Sequence, residues 1–283
     1  AGFPRNCCTW IRGIYGLVRD QGIRHMVFVT GGDCSNTHAL METLLPEHKE
    51  IHTFSFPYPA DQQRLQIELG RFANALDTTI SAAEQVGREL VNIRKTLAKL
   101  DEMTWKTHQV SGAENLHWLL SATDFAGNHQ EFEKRLLTFH KEVALRPPSN
   151  KKGLRIGILG VPPALTDLPQ SVETLGGQVV FNEVPRQFAM IQGHPGLVSR
   201  YHEYTYPYGV WARVQDIRAQ IALRSIRGLI HYTQSFCHRQ IHDIVLRREL
   251  GVPILTIEGE LPQCTDRRTK LRIESFFEIL ENC

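Results

Sequence analysis

The chain has 283 residues, 22% charged and 42% hydrophobic, the balance of a soluble globular protein with a real core and room for about two domains. Its 32 Lys and Arg against 30 Asp and Glu leave a formal charge of +2, without the concentrated basic face that nucleic acid requires, and no run approaches the roughly 20 apolar residues of a membrane helix. Six cysteines are too sparse for a disulfide scaffold, so a cytoplasmic, reducing location is expected, with thiols used for metal binding, redox work or burial.

The start lacks an initiator Met and the apolar core of a signal peptide, as expected of a processed chain or a fragment. Residues 8–19 carry Trp10, Ile11, Ile14, Leu17 and Val18 at helical spacing. Residues 25–30 form a short apolar run that predicts a buried strand. A turn-rich loop follows from Gly31 to Asn36, where Ser35 or Asn36 is expected to cap a helix over 37–45. Residues 51–56 predict a second strand, closed by Pro57 and Pro59. From 61 to about 99 there is no Pro, and Leu65, Leu69, Phe72, Leu76 and Ile80, then Val86, Leu90, Ile93 and Leu97, recur at threes and fours. This predicts two helices or one bent helix. Helices over 113–123 and 130–144 precede a polar, Pro-rich linker at 146–153. Beyond it, strands at 154–160, 178–184, 228–233 and 252–257 alternate with helices at 168–175, 211–226, 239–250 and 269–280. Short apolar strands alternating with helices predict an α/β fold with a mostly parallel sheet. The expected organisation is an N-terminal α/β lobe over 1–60, a helical section and linker over 61–150, and a C-terminal α/β lobe over 151–283.

Three cysteines share one structural address. Cys8 opens a helix, Cys34 lies between a strand and a helix, and Cys237 follows the strand ending near Thr233 and precedes a helix. In open α/β sheets the carboxyl ends of the strands form the ligand crevice, and helix N-termini there stabilise thiolates and anionic clusters. Three thiolates suit a cubane iron–sulfur cluster with one iron left to another ligand. A structural zinc site wants four ligands and a close C-x-x-C pair, which this chain lacks. The competing reading is three small buried hydrophobes. Cys7, beside Cys8, is open as the first ligand in its place, the other then being packed behind it. Cys264 and Cys283 read as free thiols.

Cys8-Thr-Trp-Ile-Arg12, Gly32-Asp-Cys-Ser-Asn36 with Leu40, Phe236-Cys237, Gly251-Val-Pro-Ile-Leu-Thr-Ile-Glu-Gly259 and Arg268-Thr-Lys-Leu-Arg-Ile-Glu-Ser-Phe276 together resemble the 2-hydroxyacyl-CoA dehydratase D-component family. That family includes 2-hydroxyglutaryl-CoA dehydratase and benzoyl-CoA reductase subunits and the double-cubane cluster proteins. Tyr204-Thr-Tyr-Pro-Tyr208 with Arg213 fits its second domain. The likeness runs from about Cys8 to Leu280, and its strength lies in the order and spacing of the Cys segments and the C-terminal block.

The resemblance implies two Rossmann-like α/β lobes with mostly parallel sheets and a helical section between them. It implies that Cys8, Cys34 and Cys237 hold a [4Fe–4S] cluster, or half of a double-cubane [8Fe–9S] cluster. It implies a homologous subunit in a homo- or heterodimer, and an ATP-dependent activator that donates electrons. Single electrons would then pass to an acyl-CoA substrate, for dehydration by a lyase or for reduction by an oxidoreductase. In the double-cubane branch a homodimer reduces small molecules. A third reading is a non-catalytic electron-relay or structural subunit. Family members carry several tens of residues before the first cluster Cys, whereas seven precede Cys8 here, so the 1–60 lobe is expected to be shortened or the chain a fragment.

Other residues have weaker claims. Glu258, two residues before Glu260 and just past the last strand, is a candidate to move a proton or bind a cation, against the plainer role of a solvent-facing carboxylate. His231, His238 and His242 lie around Cys237 and are candidates to tune a cluster, or are ordinary satisfied histidines. Arg12, one turn after Cys8, is placed to offset negative charge or to face solvent. Gly157 and Gly160 lack the G-x-G-x-x-G spacing, and no Walker sequence is present, so ATP use is assigned to a partner.

Overall fold

The computed structural model describes residues 2–47, 50–149, 153–193 and 196–282. Helix α1 (Thr9–Gln21) ends at Gly22, whose left-handed φ of 61° lets its N–H reach back to Val18 O. Strands β1 (His25–Gly31) and β2 (Glu50–Ser55) pair in parallel, joined through helix α2 (Ser35–Leu44). Leu40 and Leu44 of α2 pack with Ile11, Val18, Met26 and Phe28, closing the small core of this lobe.

The middle of the chain forms three helices where the apolar periodicity predicts two or one bent: α3 (Gln62–Ala75), α4 (Ile80–Glu89) and α5 (Val91–Glu102). The periodicity runs through breaks that side chains create. Asp77 takes a left-handed φ of 52°, and the Thr79 side chain accepts from Ala82 N at 3.1 Å to start α4 afresh. Helix α6 (Gly112–Ser121) opens with a capping box between Ser111 and Glu114, and α7 (His129–Ala144) follows. Ile93, Leu97, Leu100, Trp118, Phe132 and Leu136 form the core of this section, each stabilising it by about 1.5–3 kcal/mol through burial. The predicted linker includes residues 150–152, which lie outside the described residues, as does Cys283.

The C-terminal part contains β3 (Leu154–Gly160), α8 (Leu168–Thr174), β4 (Gly177–Asn182), α9 (Glu183–Ala189), α10 (Leu197–His202), α11 (Val210–Arg224), β5 (Gly228–Gln234), α12 (Asp243–Glu249), β6 (Ile254–Gly259) and α13 (Arg267–Glu281). All four strands are parallel, in the order β4-β3-β5-β6. The two parallel sheets with helices between them establish the α/β class. The chain steps from β3 to β4 on one side, then crosses to β5 on the other. The carboxyl ends of β3 and β5 therefore flank a topological switch point, the usual ligand crevice of such sheets.

Three boundaries differ from the sequence-based expectation. The strand predicted over 178–184 stops at Asn182, and Val184 belongs to α9, because Glu183 turns inward to a buried ion pair. The helix predicted over 239–250 begins as a 3-10 turn (His238–His242) before α12. Ser35 and Asn36 lie inside α2, whose N-cap is Cys34. Among the described residues no helix is long and apolar enough to cross a membrane.

Gly160 closes β3 with a φ of 92°, and a Cβ there would run into the carbonyl oxygen of Tyr232 on β5. Gly160→Ala is expected to cost about 1–3 kcal/mol, read as a lower urea midpoint with an unchanged slope.

Candidate functional site

Cys8, Cys34 and Cys237 are the N-cap residues of α1, of α2 and of the 3-10 turn after β5. None of the three makes a side-chain capping bond. Ser, Thr, Asp and Asn are preferred at such positions because their oxygens satisfy the first-turn N–H groups. At Cys8 the amides of Trp10 and Ile11 lie close enough to the sulfur to favour its thiolate, against the opposing effect of burial. All three thiols are free and partly exposed. Cys7 points the other way: it is buried with Ile11 and Leu40, its Sγ 3.8 Å from Cys8 O. Cys264 is an exposed free thiol.

Several links run between the three segments. Burial pushes the Cys8 thiol up, opposed by the amides of Trp10 and Ile11, while negative charge on Cys34, and then Cys7, adds to the rise. Burial also raises the Tyr232 phenol on β5, with Cys8 and Glu258 adding to the shift. Tyr232 and Cys237 line the same small crevice with Gly160, Tyr206, Arg213 and Arg239. Arg239 ties the segments covalently distant in sequence: its Nη2 donates to Gly32 O at 2.8 Å and its Nη1 to Tyr206 O at 2.9 Å. The Cys34 loop is braced locally, since Asp33 accepts from Cys34 N at 2.7 Å and from Thr37 Oγ1 at 3.0 Å. Thr37 Oγ1 also lies 3.6 Å from Cys34 Sγ.

The floor of the crevice is charged and closed. Arg213 and Glu183 are each 1% exposed and joined by two hydrogen bonds of 2.7 and 2.8 Å. Glu183 also accepts from Gly160 N at 2.9 Å. Burial alone would raise the Glu183 carboxyl, but Arg213 outweighs it and holds the group below its ordinary value. Arg213 Nη1 lies 3.1 Å from His242 Nδ1. A guanidinium can only donate, so this nitrogen carries no proton. Burial first, then Arg213 and Arg239, push His242 down to about 4. His231 is buried and donates from Nδ1 to Asp243 at 2.8 Å, while Thr256 Oγ1 and Arg247 also donate to that carboxylate. The ring of Tyr206 lies between Arg213 and Arg239, whose guanidinium carbons are 5.3 and 4.1 Å from its centroid.

His242 has a pH consequence. Its folded value lies below its unfolded value of 6.5, so the unfolded chain binds more protons between about 4 and 6.5. Stability is expected to fall as pH falls through that window, and His242→Gln is expected to flatten the slope in urea titrations run at successive pH values. Glu183 enters lower: its contribution is present above 4.5 and is lost as pH falls through its depressed folded value.

The remaining candidates resolve as follows. Glu258 accepts from Ser235 Oγ at 2.7 Å and Gln240 Nε2 at 3.2 Å, at the rim beside Cys237. Arg12 pairs with Glu260 at 3.0 Å and donates to Thr9 Oγ1 at 2.9 Å, tying α1 to the loop after β6. His238 is exposed. Glu183, Arg239 and Asp243 escape the sequence reading. A carboxylate at the carboxyl end of a strand is the available signal for Glu183, hidden because the apolar pattern continues through Val184, two residues past the end of β4.

A profile of the 2-hydroxyglutaryl-CoA dehydratase D-component family matches residues 1–280. The chain belongs to the 2-hydroxyglutaryl-CoA dehydratase D-component family. No curated protein matches it. Membership places this D-component chain among dehydratase- and reductase-type enzyme subunits. Among the described residues no three His, Cys, Asp or Glu side chains gather closely enough for a single metal ion. A cubane makes a different demand, because its ligands bind separate corners and stand wider apart than the donors of one ion. Free thiols on three segments suit that demand in donor chemistry.

Proposed function

We propose that this chain is the iron–sulfur subunit of a low-potential dehydratase or reductase, with Cys8, Cys34 and Cys237 as ligands of a [4Fe–4S] cluster. The observation that carries the reading is that three free cysteines, distant in sequence, each N-cap a helical element, with Cys237 in the switch-point crevice and Arg239 tying that crevice to the Gly32 loop before Cys34. Cys8 is the first ligand and Cys7 its packed neighbour, because Cys7 is sequestered in the lobe core. When bound, the cluster would supply single low-potential electrons to an acyl-CoA-type substrate.

The chain's own residues would set the conditions. At Cys8 the amides of Trp10 and Ile11 favour the thiolate, and a bound cluster would have to overcome the burial that keeps the thiol protonated. Arg213 and Arg239 place positive charge beside Cys237, Arg213 held by Glu183 and the Tyr206 ring, and Arg239 by that ring and the carbonyls of Tyr206 and Gly32. Glu258, oriented by Ser235 and Gln240, is the carboxylate placed to accept or deliver a proton at the rim. The partners are a homologous subunit and an ATP-dependent activator that donates electrons.

A second reading, half of a double-cubane [8Fe–9S] cluster in a homodimer, draws on the surface beside the thiols. Trp10 and Phe236, adjacent to or two residues from Cys8 and Cys237, are 49% and 50% exposed. Large exposed aromatics close in sequence to the candidate ligands suit an interface. Anaerobic purification with iron and acid-labile sulfide analysis tests both: about four irons per chain is expected of either cluster, nine rather than eight sulfides in a symmetric homodimer favours the second reading, and a folded, iron-free protein overturns both.

A further inference from the structure

Helix α13 carries its charges in the order that an isolated helix disfavours. After the Asp266 N-cap its first turn opens with Arg267 and Arg268 and holds no acidic residue, while its last turn holds Glu278 and Glu281 and no basic one. A helix N-terminus favours negative charge and a C-terminus positive charge, so both ends oppose the dipole. All four side chains are exposed. Between them the outward face is apolar: Leu271 and Ile279 are 52% and 55% exposed, and the small, exposed Ser275 stands midway in the same row. The opposite face, with Ile273, Phe276, Phe277 and Leu280, is buried in the core of the four-stranded sheet. A groove of about 670 Å³ runs beside the row, between α13 and β6, with Leu271, Ile279, Ile254 and Leu255 among its walls.

A partner can meet this face by strand or by helix. β6 is the edge of its sheet, but Arg247 donates to Ile254 O and Arg272 to Thr256 O, each at 2.7 Å. Arginines lying across two edge carbonyls blunt the strand against further pairing, which leaves the helix. An acidic peptide would answer Arg267 and Arg268 but would face Glu278 and Glu281 with like charge. A second α13 running antiparallel answers both ends at once and sets the two dipoles head to tail. We propose that α13 is a homodimer interface, on which a second copy of this chain docks its own α13 antiparallel, about a two-fold axis at Ser275. Leu271 of each copy then packs on Ile279 of the other, and Arg267 and Arg268 of each stand beside Glu278 and Glu281 of the other. Such self-complementarity is what a two-fold contact requires. The exposed ion pairs add little strength singly and fix direction and register. A face of 15 residues is about 22 Å long at roughly 1.5 Å per residue, small for an interface, so association in the micromolar range is expected. The contact uses no residue of the crevice and does not depend on the cluster.

The test is sedimentation equilibrium of the anaerobically purified full chain, from about 1 to 100 µM, at low and high salt. A reductant keeps the exposed Cys264 thiol from cross-linking copies. A reversible association that salt weakens is expected. Leu271→Asp, at an exposed position, is expected to fold as the parent does and to weaken association by about tenfold or more. Two double variants, Arg267→Glu with Arg268→Glu and Glu278→Lys with Glu281→Lys, each relieve the conflict with the helix dipole, so both are expected to be folded. Each alone is expected to associate more weakly than the parent, because like charges then face across the axis. Mixed in equal amounts, the two double variants present opposite charges again and are expected to associate as tightly as the parent. A parent that stays monomeric throughout assigns the face to a different occupant and overturns the proposal. So does an association that Leu271→Asp leaves unchanged, which is then made elsewhere on the molecule, or a mixture of the double variants no tighter than either alone.

Discussion

Arg213→Met is expected to lower stability by about 3–5 kcal/mol, because it strands the Glu183 carboxylate in a site with no access to water. Arg213 is among the largest fully buried side chains of the molecule and supplies two of the bonds that satisfy Glu183. The one remaining donor, Gly160 N, cannot neutralise a charge. The stranded group is expected to take up a proton instead, moving its titration from below its ordinary value to above it. The loss would therefore be largest near neutral pH and smaller in acid. Arg213→Met combined with Glu183→Leu removes both charges and is expected to recover much of the loss. Urea midpoints for the two single variants and the double variant supply the cycle, and additivity between the substitutions would show that the pair is not coupled.

Asp101→Asn is expected to have an effect of similar size, about 3–5 kcal/mol, at a different joint. Arg224 on α11 donates to Asp101 on α5 at 2.6 and 3.0 Å and to Val180 O on β4 at 2.7 Å. Asn115 donates to the same carboxylate at 3.1 Å and accepts from Asn182 at 2.8 Å. The network joins the helical section to the four-stranded sheet through polar groups with no water to replace a missing partner. With Asn at 101, the Arg224 guanidinium keeps its contacts with the rings of Trp105 and Phe181 but loses its counter-charge. The pair between Arg146 and Glu114 is the useful contrast. It is also bidentate, with two bonds of 2.9 Å, but Arg146 is 42% exposed, so breaking it is expected to cost no more than about 1 kcal/mol. Equal unfolding midpoints for Asp101→Asn and Arg146→Met, which breaks the exposed pair but leaves the Ser111–Glu114 capping box, would show that burial does not control these contributions.

The parts of the fold that were legible in the sequence are those where burial is continuous. β5 is buried at every residue, and its apolar run from Gly228 stands out without any homologue. The helical stretch was visible as helix but not as three helices, because Leu76 and Leu90 keep the apolar period while Asp77 and Thr79 break the chain locally. Helices α9 and α10 are short, and much of α9 is buried, including Glu183, Arg186 and Gln187, so it carries no polar face to mark its period. That Cys8, Cys34 and Cys237 each precede a helical element is legible because helix starts and strand ends leave clear punctuation. The charged floor beneath them was not, since Glu183–Arg213, Arg239–Gly32 and His231–Asp243 are tertiary pairings that no local spacing encodes.

The central claim is that Cys8, Cys34 and Cys237 act together as the ligands of one cluster, and the most direct measurement is iron per chain with EPR after reduction, made anaerobically on single alanine variants. The account predicts that Cys8→Ala, Cys34→Ala and Cys237→Ala each lose the iron and the cluster signal while remaining folded. Cys7→Ala, which only removes a core side chain, keeps both. Full iron retained in any of the first three, or its loss in Cys7→Ala with retention in Cys8→Ala, would contradict the assignment.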